Sequence, residues 1–283
     1  MIIWISSYPK SGNTWLRSLL SSYLYTKDGI FNNFDLLKKI NQFPSKEYFA
    51  FFLKDFKDIK KVSYYWIAAQ ARINLLNNNT TFLKTHSALC SLEKNHFTDR
   101  QNTKAAIYIV RDPRNLITSL SHHYSLTIEE SYNFMVNKNK MIMRGDSVNE
   151  LGIASLLGSW SDHYKSWKNL NFAPILIIKY EDLITNTKNS FIKILNFLSK
   201  LTNIKIDEKK IQNCINSCSF DQLSAKEINN GFFESATLKE KNNKKIKFFH
   251  LGKKNNWKNL LDPKITKNIK EVFDKEMKEL EYI

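Results

Sequence analysis

The chain has 283 residues, 42% hydrophobic and 25% charged, with a formal net charge of +16. That length supports one sizeable core, and no Gly/Ser/Pro-rich linker, internal repeat or heptad run divides it, so a single domain is expected over 1–283. No apolar stretch approaches the ~20 residues that span a bilayer, and the three cysteines, Cys90, Cys214 and Cys218, have neither zinc spacing nor the even count of a secreted disulfide scaffold.

The first element is the apolar run Ile2 to Ile5, a strand. It begins too early to leave room for a signal peptide, so a cytoplasmic protein without membrane attachment is expected. Ser6-Ser7-Tyr8-Pro9-Lys10-Ser11-Gly12-Asn13-Thr14-Trp15 follows, then a helical pattern at Leu16, Leu19, Leu20, Tyr23 and Leu24. A strand–loop–helix junction of this kind aims backbone N–H groups and the positive end of a helix at an anion. Lys10 adds a full charge, and Ser11 and Thr14 add hydroxyl donors. The spacing differs from the nucleoside-triphosphate loop G-x-x-x-x-G-K-[ST]: no earlier glycine is present, Lys10 precedes Gly12, and no loop carboxylate marks a metal. A donor with a single 5′-phosphate group suits it better. A plain turn at Pro9 and Gly12, with Lys10 solvated, is the alternative.

Four further constellations follow in order. Thr81-Phe82-Leu83-Lys84-Thr85-His86 is a short β-type run ending on a histidine, the side chain best suited to accept a proton near neutral pH. Ala106 to Val110 reads as a buried strand that exits through Arg111-Asp112-Pro113-Arg114 into a helix carrying Ser119. Asp112 and Arg114 suit the helix start, while the planar fork of Arg111 suits a phosphate. Trp160, Tyr164 and Trp167 share one helix face and read as core, ahead of the apolar strand Ile175 to Ile178 and Lys179-Tyr180-Glu181-Asp182-Leu183. Last come Ser219-Phe220 and His250-Leu251-Gly252-Lys253-Lys254-Asn255-Asn256-Trp257-Lys258.

In this order the segments resemble the sulfotransferases that use 3′-phosphoadenosine 5′-phosphosulfate (PAPS). Tyr8 to Trp15 is similar to that family's 5′-phosphosulfate loop, with Asn13 where the family usually has Thr. The resemblance implies donor contacts from Lys10, Ser11, Gly12, Asn13, Thr14 and Trp15, with His86 as catalytic base and Lys84 near the sulfuryl group. It implies a 3′-phosphate grip by Arg111 and Ser119, with Ser119 also restraining Lys10 until the acceptor arrives. Tyr180, Trp15 and Phe220 would hold the adenine. His250, Gly252 and Lys253 stand in the closing 3′-phosphate segment, where His250 replaces an arginine and Leu251 a lysine. No metal is implied, because fixed cations and dipoles carry the charge.

Strands near residues 2–6, 81–85, 105–110 and 174–179 alternate with helices beginning near 13, 35, 63, 113, 153, 187, 207 and 263. The expected fold is therefore α/β, a P-loop-like central parallel sheet with helices on both faces. The partner expected is a small-molecule acceptor with a hydroxyl or amine, neither nucleic acid nor membrane. Aromatic residues across 43–66 fit an acceptor pocket or a core equally well, and His122 and His123 fit a pocket or the surface. Lysine and asparagine are spread through the chain, as at 241–245, which reads the net charge as composition that also steers a polyanion. The rival readings are a P-loop nucleotide kinase, a basic RNA-binding protein without catalysis, and a binding-only relative of the sulfotransferases.

Overall fold

The computed structural model describes residues 1–77, 79–143, 153–238 and 244–283, so that 241–243 of the lysine and asparagine run lie outside it. The elements that build the site come in chain order. They are strand β1 (Ile2–Ser7), helix α1 (Asn13–Tyr25), strands β2 (Thr81–Thr85) and β3 (Thr103–Val110), helices α2 (Pro113–Tyr124) and α3 (Trp160–Lys168), strand β4 (Ile175–Lys179) and helix α4 (Phe220–Asn230).

The four strands form one parallel sheet in the order β2-β1-β3-β4. Every residue of β1 is buried, as expected for a strand covered on both faces. Alternation divides it: Ile2 and Trp4 join one core layer with Leu83, Tyr108 and Val110, while Ile3 and Ile5 join the other with Ile107 and Ile109. Trp4 keeps its indole N–H satisfied by donating to Thr103 Oγ1 at 3.0 Å, which lets so large a ring sit fully inside. Trp160, Tyr164 and Trp167 are buried core residues.

Register then fixes the site. Ser6 lies beside Thr85, Ser7 beside Ile109, and Val110 beside Lys179. All four carboxyl ends therefore finish at one edge, and the residues that follow them (Tyr8 to Gly12, His86, Arg111 and Tyr180) emerge together. Open parallel sheets bind their ligands at this edge.

Three expected helices differ. The run from 153 forms the strand Ala154–Leu156, paired antiparallel with Met141–Met143. Helix α3 waits until Trp160, because Gly158 turns the chain at φ +67° and Ser159 then accepts from the Asp162 N–H as N-cap. The helix expected at 35 is a 3-10 turn over Phe34–Lys39. The one expected at 63 is two helices, Ile59–Tyr64 and Trp66–Leu76, interrupted at Tyr65. Among the described residues no helix is long and apolar enough to cross a membrane.

Candidate active site

The phosphate loop is shaped by two left-handed residues, Lys10 at φ +66° and Gly12 at φ +103°. At Gly12 the glycine is required by space as well as by φ: a Cβ there would lie 2.4 Å from Tyr180 Cδ2. The loop backbone thus lies directly against the Tyr180 ring. Helix α1 starts on Gly12 without a side-chain cap and without an acidic residue in its first turn. Its leading N–H groups are left for an outside acceptor. The Ser11 hydroxyl is buried without a partner, and so is the Arg111 Nε–H. Buried donors without acceptors are costly, and Arg111 is among the residues that line the cavity described below.

Arg111 is held rather than mobile. One terminal nitrogen donates to the Lys10 carbonyl at 2.9 Å, and the guanidinium stacks over the Tyr180 ring at 4.4 Å. Trp15 meets the same ring edge-on at 6.0 Å and donates its indole N–H to the Cys218 carbonyl at 2.9 Å. Asn13, the departure from the family's usual threonine, turns its amide inward, donating to the Ile5 carbonyl at 3.0 Å and to Ser7 Oγ at 3.2 Å. It therefore ties the loop to β1.

His86 leaves the end of β2 with Nδ1 2.8 Å from the Ser7 carbonyl oxygen. A carbonyl only accepts, so Nδ1 carries the proton and Nε2 keeps its lone pair. Burial, reinforced by the nearby Lys84 charge, pushes His86 well below the usual histidine range; it is neutral at pH 7. Lys10 is lowered to about 7, first by burial and then by Arg111. Its ammonium sits 3.5 Å above the centre of the Phe248 ring.

The closing segment is laid across α2. Asn255 accepts from Thr118 Oγ1 at 2.5 Å and donates to the Asn115 carbonyl at 2.8 Å, and the Trp257 N–H donates to Asn115 Oδ1 at 2.9 Å. His250 stacks flat on His122, ring centres 3.6 Å apart. Gly252, at φ +54°, lies against Phe220, so close that a Cβ would come within 2.9 Å of the ring.

One cavity of about 1020 Å³ gathers these parts. Lys10, Gly12, Asn13, Thr14, Trp15, Lys84, His86, Arg111, Ser119, Tyr180, Phe220, His250, Gly252 and Lys253 all line it. Of the residues named from the sequence, Ser11 alone is not on its wall. The aromatic residues of 43–66 are not there either: Phe43, Phe49 and Trp66 are core, whereas Phe51 and Tyr64 are exposed. His123, Tyr124, Ile142, Met143, Phe233 and Phe248 supply the apolar and aromatic wall instead.

Sequence reasoning missed three supporting residues. His163 donates its Nε2–H to the His86 carbonyl at 3.0 Å, and its Nδ1 accepts from the Tyr108 hydroxyl at 2.9 Å. Arg17 and Glu234 form a buried ion pair at 2.8 Å. The one available signal was Arg17, three residues past Thr14 and on its helix face.

Comparison with known proteins agrees with this geometry. The sulfotransferase domain family matches residues 2–281. Sulfotransferase 1B1 of Canis lupus familiaris is 26% identical over 281 residues, covering 96% of this chain and 82% of that protein. Flavonol 3-sulfotransferase of Flaveria bidentis is 26% identical over 286 residues, covering 97% and 81%. Among solved structures, a mouse sulfotransferase complexed with PAP superposes with a TM-score of 0.59 at 22% identity, over 97% of this chain and 83% of that one. Retinol dehydratase, in complex with androsterone and inactive cofactor PAP, superposes with a TM-score of 0.61 at 17% identity, over 98% and 80%. The sheet order, the helix-flanked parallel architecture and a family match running almost end to end make this chain a member of the sulfotransferase family.

Proposed function

We propose that the chain is a single-domain enzyme transferring a sulfuryl group from PAPS to a hydroxyl or amine of a small-molecule acceptor. The observation that carries this reading is the convergence of Lys10, His86, Arg111 and Tyr180 from four strand ends onto one cavity. PAPS would supply the activated sulfur, and the residues divide the remaining work. Nε2 of His86, unprotonated at neutral pH, takes the acceptor's proton as the new bond to sulfur forms and the bond from sulfur to the 5′-phosphate oxygen breaks, releasing adenosine 3′,5′-bisphosphate. Lys10 offsets charge building on that departing oxygen, and Lys84 approaches the sulfuryl group. The N–H groups opening α1, with the Thr14 hydroxyl, hold the 5′-phosphate.

Arg111, Ser119 and Lys253, with His250, meet the 3′-phosphate, and Trp15, Tyr180 and Phe220 pack on the adenine. Apolar and aromatic side chains around His86 favour an acceptor with a hydrophobic body. The test is calorimetry with adenosine 3′,5′-bisphosphate (PAP) against adenosine 5′-monophosphate. PAP should bind at least roughly tenfold more tightly, since a charge-assisted phosphate contact is worth about 1.5–3 kcal/mol. Equal affinities would remove the 3′-phosphate assignment, and no binding of either would remove the reading.

A further inference from the structure

A carboxylate lies among the cations and hydroxyls of the donor site. Glu234 comes from the segment after α4, far from the phosphate loop in sequence, yet its side chain is only 6% exposed. Its Oε2 accepts from Thr14 Oγ1 at 2.9 Å. Its Oε1 accepts from Arg17 at 2.8 Å and from Lys84 Nζ at 3.1 Å. The charge also reaches further, acting against the lowering of Lys10, His86 and His123.

Two of these partners are donor-site residues on the proposed reading, and the third is not. Arg17 is fixed by the Leu37 and Ile40 carbonyls at 2.9 and 3.2 Å, so it stays behind as a structural anchor. Thr14 has a single hydroxyl proton. While Glu234 accepts it, no phosphate oxygen can. Lys84 has three protons and can serve both. The segment has other ties: Glu227 accepts from Ser235 Oγ at 2.7 Å and from the Phe248 and Phe249 N–H groups at 2.6 and 2.9 Å. Phe232 packs on Phe34 at 4.3 Å. Glu234 joins this segment to the phosphate loop and β2.

We propose that Glu234 competes with the donor's anion: its carboxylate takes the Thr14 hydroxyl that a phosphate oxygen would take, and yields it when a phosphate arrives. Donor binding then removes one of the contacts that hold Glu234 in place, while those to Arg17 and Lys84 remain. This deepens the proposed function and rests on its assignment of Thr14. Its consequence is that Glu234 sets donor affinity by competition, since an anion gains only the difference between its own contacts and those it displaces.

The test compares wild type with Glu234→Gln, which keeps the shape and removes the charge. PAP affinity is read by calorimetry, and amide hydrogen exchange of residues 231–236 is followed with and without PAP in the wild type. The variant should bind PAP roughly tenfold more tightly, in the range of favourable buried charge contacts, and PAP should speed exchange at 231–236 in the wild type. Equal or weaker binding by the variant, or slower exchange with PAP, overturns the proposal; a merely structural latch gives that pattern. The exchange measurement needs no variant and decides the matter if Glu234→Gln does not fold. If the wild type binds no PAP, the proposed function fails. The same two readouts with inorganic pyrophosphate then decide whether Glu234 competes with an anion at all.

Discussion

His163 and His86 are joined side chain to backbone: the Nε2–H of His163 donates to the His86 carbonyl oxygen at 3.0 Å. The same helix also clamps the next residues, with Trp167 donating to the Ser87 carbonyl at 2.9 Å and Ser166 Oγ accepting from the Leu89 N–H at 3.0 Å. In the proposed mechanism His86 is the base, and a base must be held within hydrogen-bond reach of the proton it removes. Helix α3 holds the backbone of His86 while the Ser7 carbonyl orients its ring.

His163→Phe keeps a ring in the core but loses both hydrogen bonds. It should lower kcat by at least roughly tenfold, as misplacing a general base forfeits part of its ~10²–10⁴-fold effect. PAP affinity should stay within threefold or so, since donor contacts are untouched. Tyr108→Phe removes only the donor to His163 Nδ1 and should cost less of kcat. Steady-state kinetics with calorimetry on each variant separates the two effects. Loss of PAP binding with kcat intact would contradict the positioning role.

Acid should destabilise the fold well before the carboxylates titrate. Burial lowers His163 to about 4 and His123 to about 3, and pushes His86 down as well. Below the unfolded value of about 6.5 the unfolded chain binds protons that the folded one refuses. Stability is therefore full above that pH and falls as pH drops from 6.5 toward 4. His163 alone contributes on the order of 3 kcal/mol across that window. Urea midpoints between pH 7.5 and 4.5 measure it, and the slope should flatten in His163→Phe.

Binding of PAP should take up protons near neutral pH. Lys10, lowered to about 7, is partly neutral there; a phosphate beside it favours the ammonium and raises its pKa. Calorimetry at pH 7.5 in two buffers of different ionisation enthalpy reads the number bound. Uptake of a fraction of a proton is expected, and Lys10→Met should abolish it and reduce turnover.

Gly12→Ala should impair the donor site. The residue sits at φ +103°, and the added methyl would meet the Tyr180 ring at 2.4 Å. Backbone strain alone costs about 1–3 kcal/mol, and the clash displaces Tyr180 from beneath Arg111. A lower melting temperature and loss of PAP binding are the expected result, whereas Gly231→Ala, strained at φ +69° but with open space around it, should lower the melting temperature and leave PAP binding intact.

Much of this site was legible because its residues lie next to strands that advertise themselves. Ile2 to Ile5, Ala106 to Val110 and Ile175 to Ile178 are continuous apolar runs, each followed by a polar exit. The expected strands therefore fall in one parallel sheet, and their exits at one edge. Helix boundaries were less legible. The residues from 153 are apolar enough for either structure, and pairing with Met141–Met143 makes them a strand. Glu234 and His163 could not be read at all. Each looks like an ordinary surface residue until the fold brings it to a partner distant in the chain, Arg17 for one and His86 for the other. The aromatic residues at 43–66 fit a pocket or a core equally well in sequence, and the fold decides: Phe43 and Phe49 join the core around Trp4, while the cavity draws on His123, Tyr124 and Phe248.

Transfer of radiolabelled sulfate from PAPS to a panel of phenols, alcohols and amines, by wild type and His86→Gln, bears most directly on the central claim. Label should appear in at least one acceptor with equimolar release of PAP, and the variant should be slower by ~10²–10⁴-fold while still binding PAP. Equal rates in the two proteins, or PAPS left intact by folded wild type across the whole panel, would contradict it.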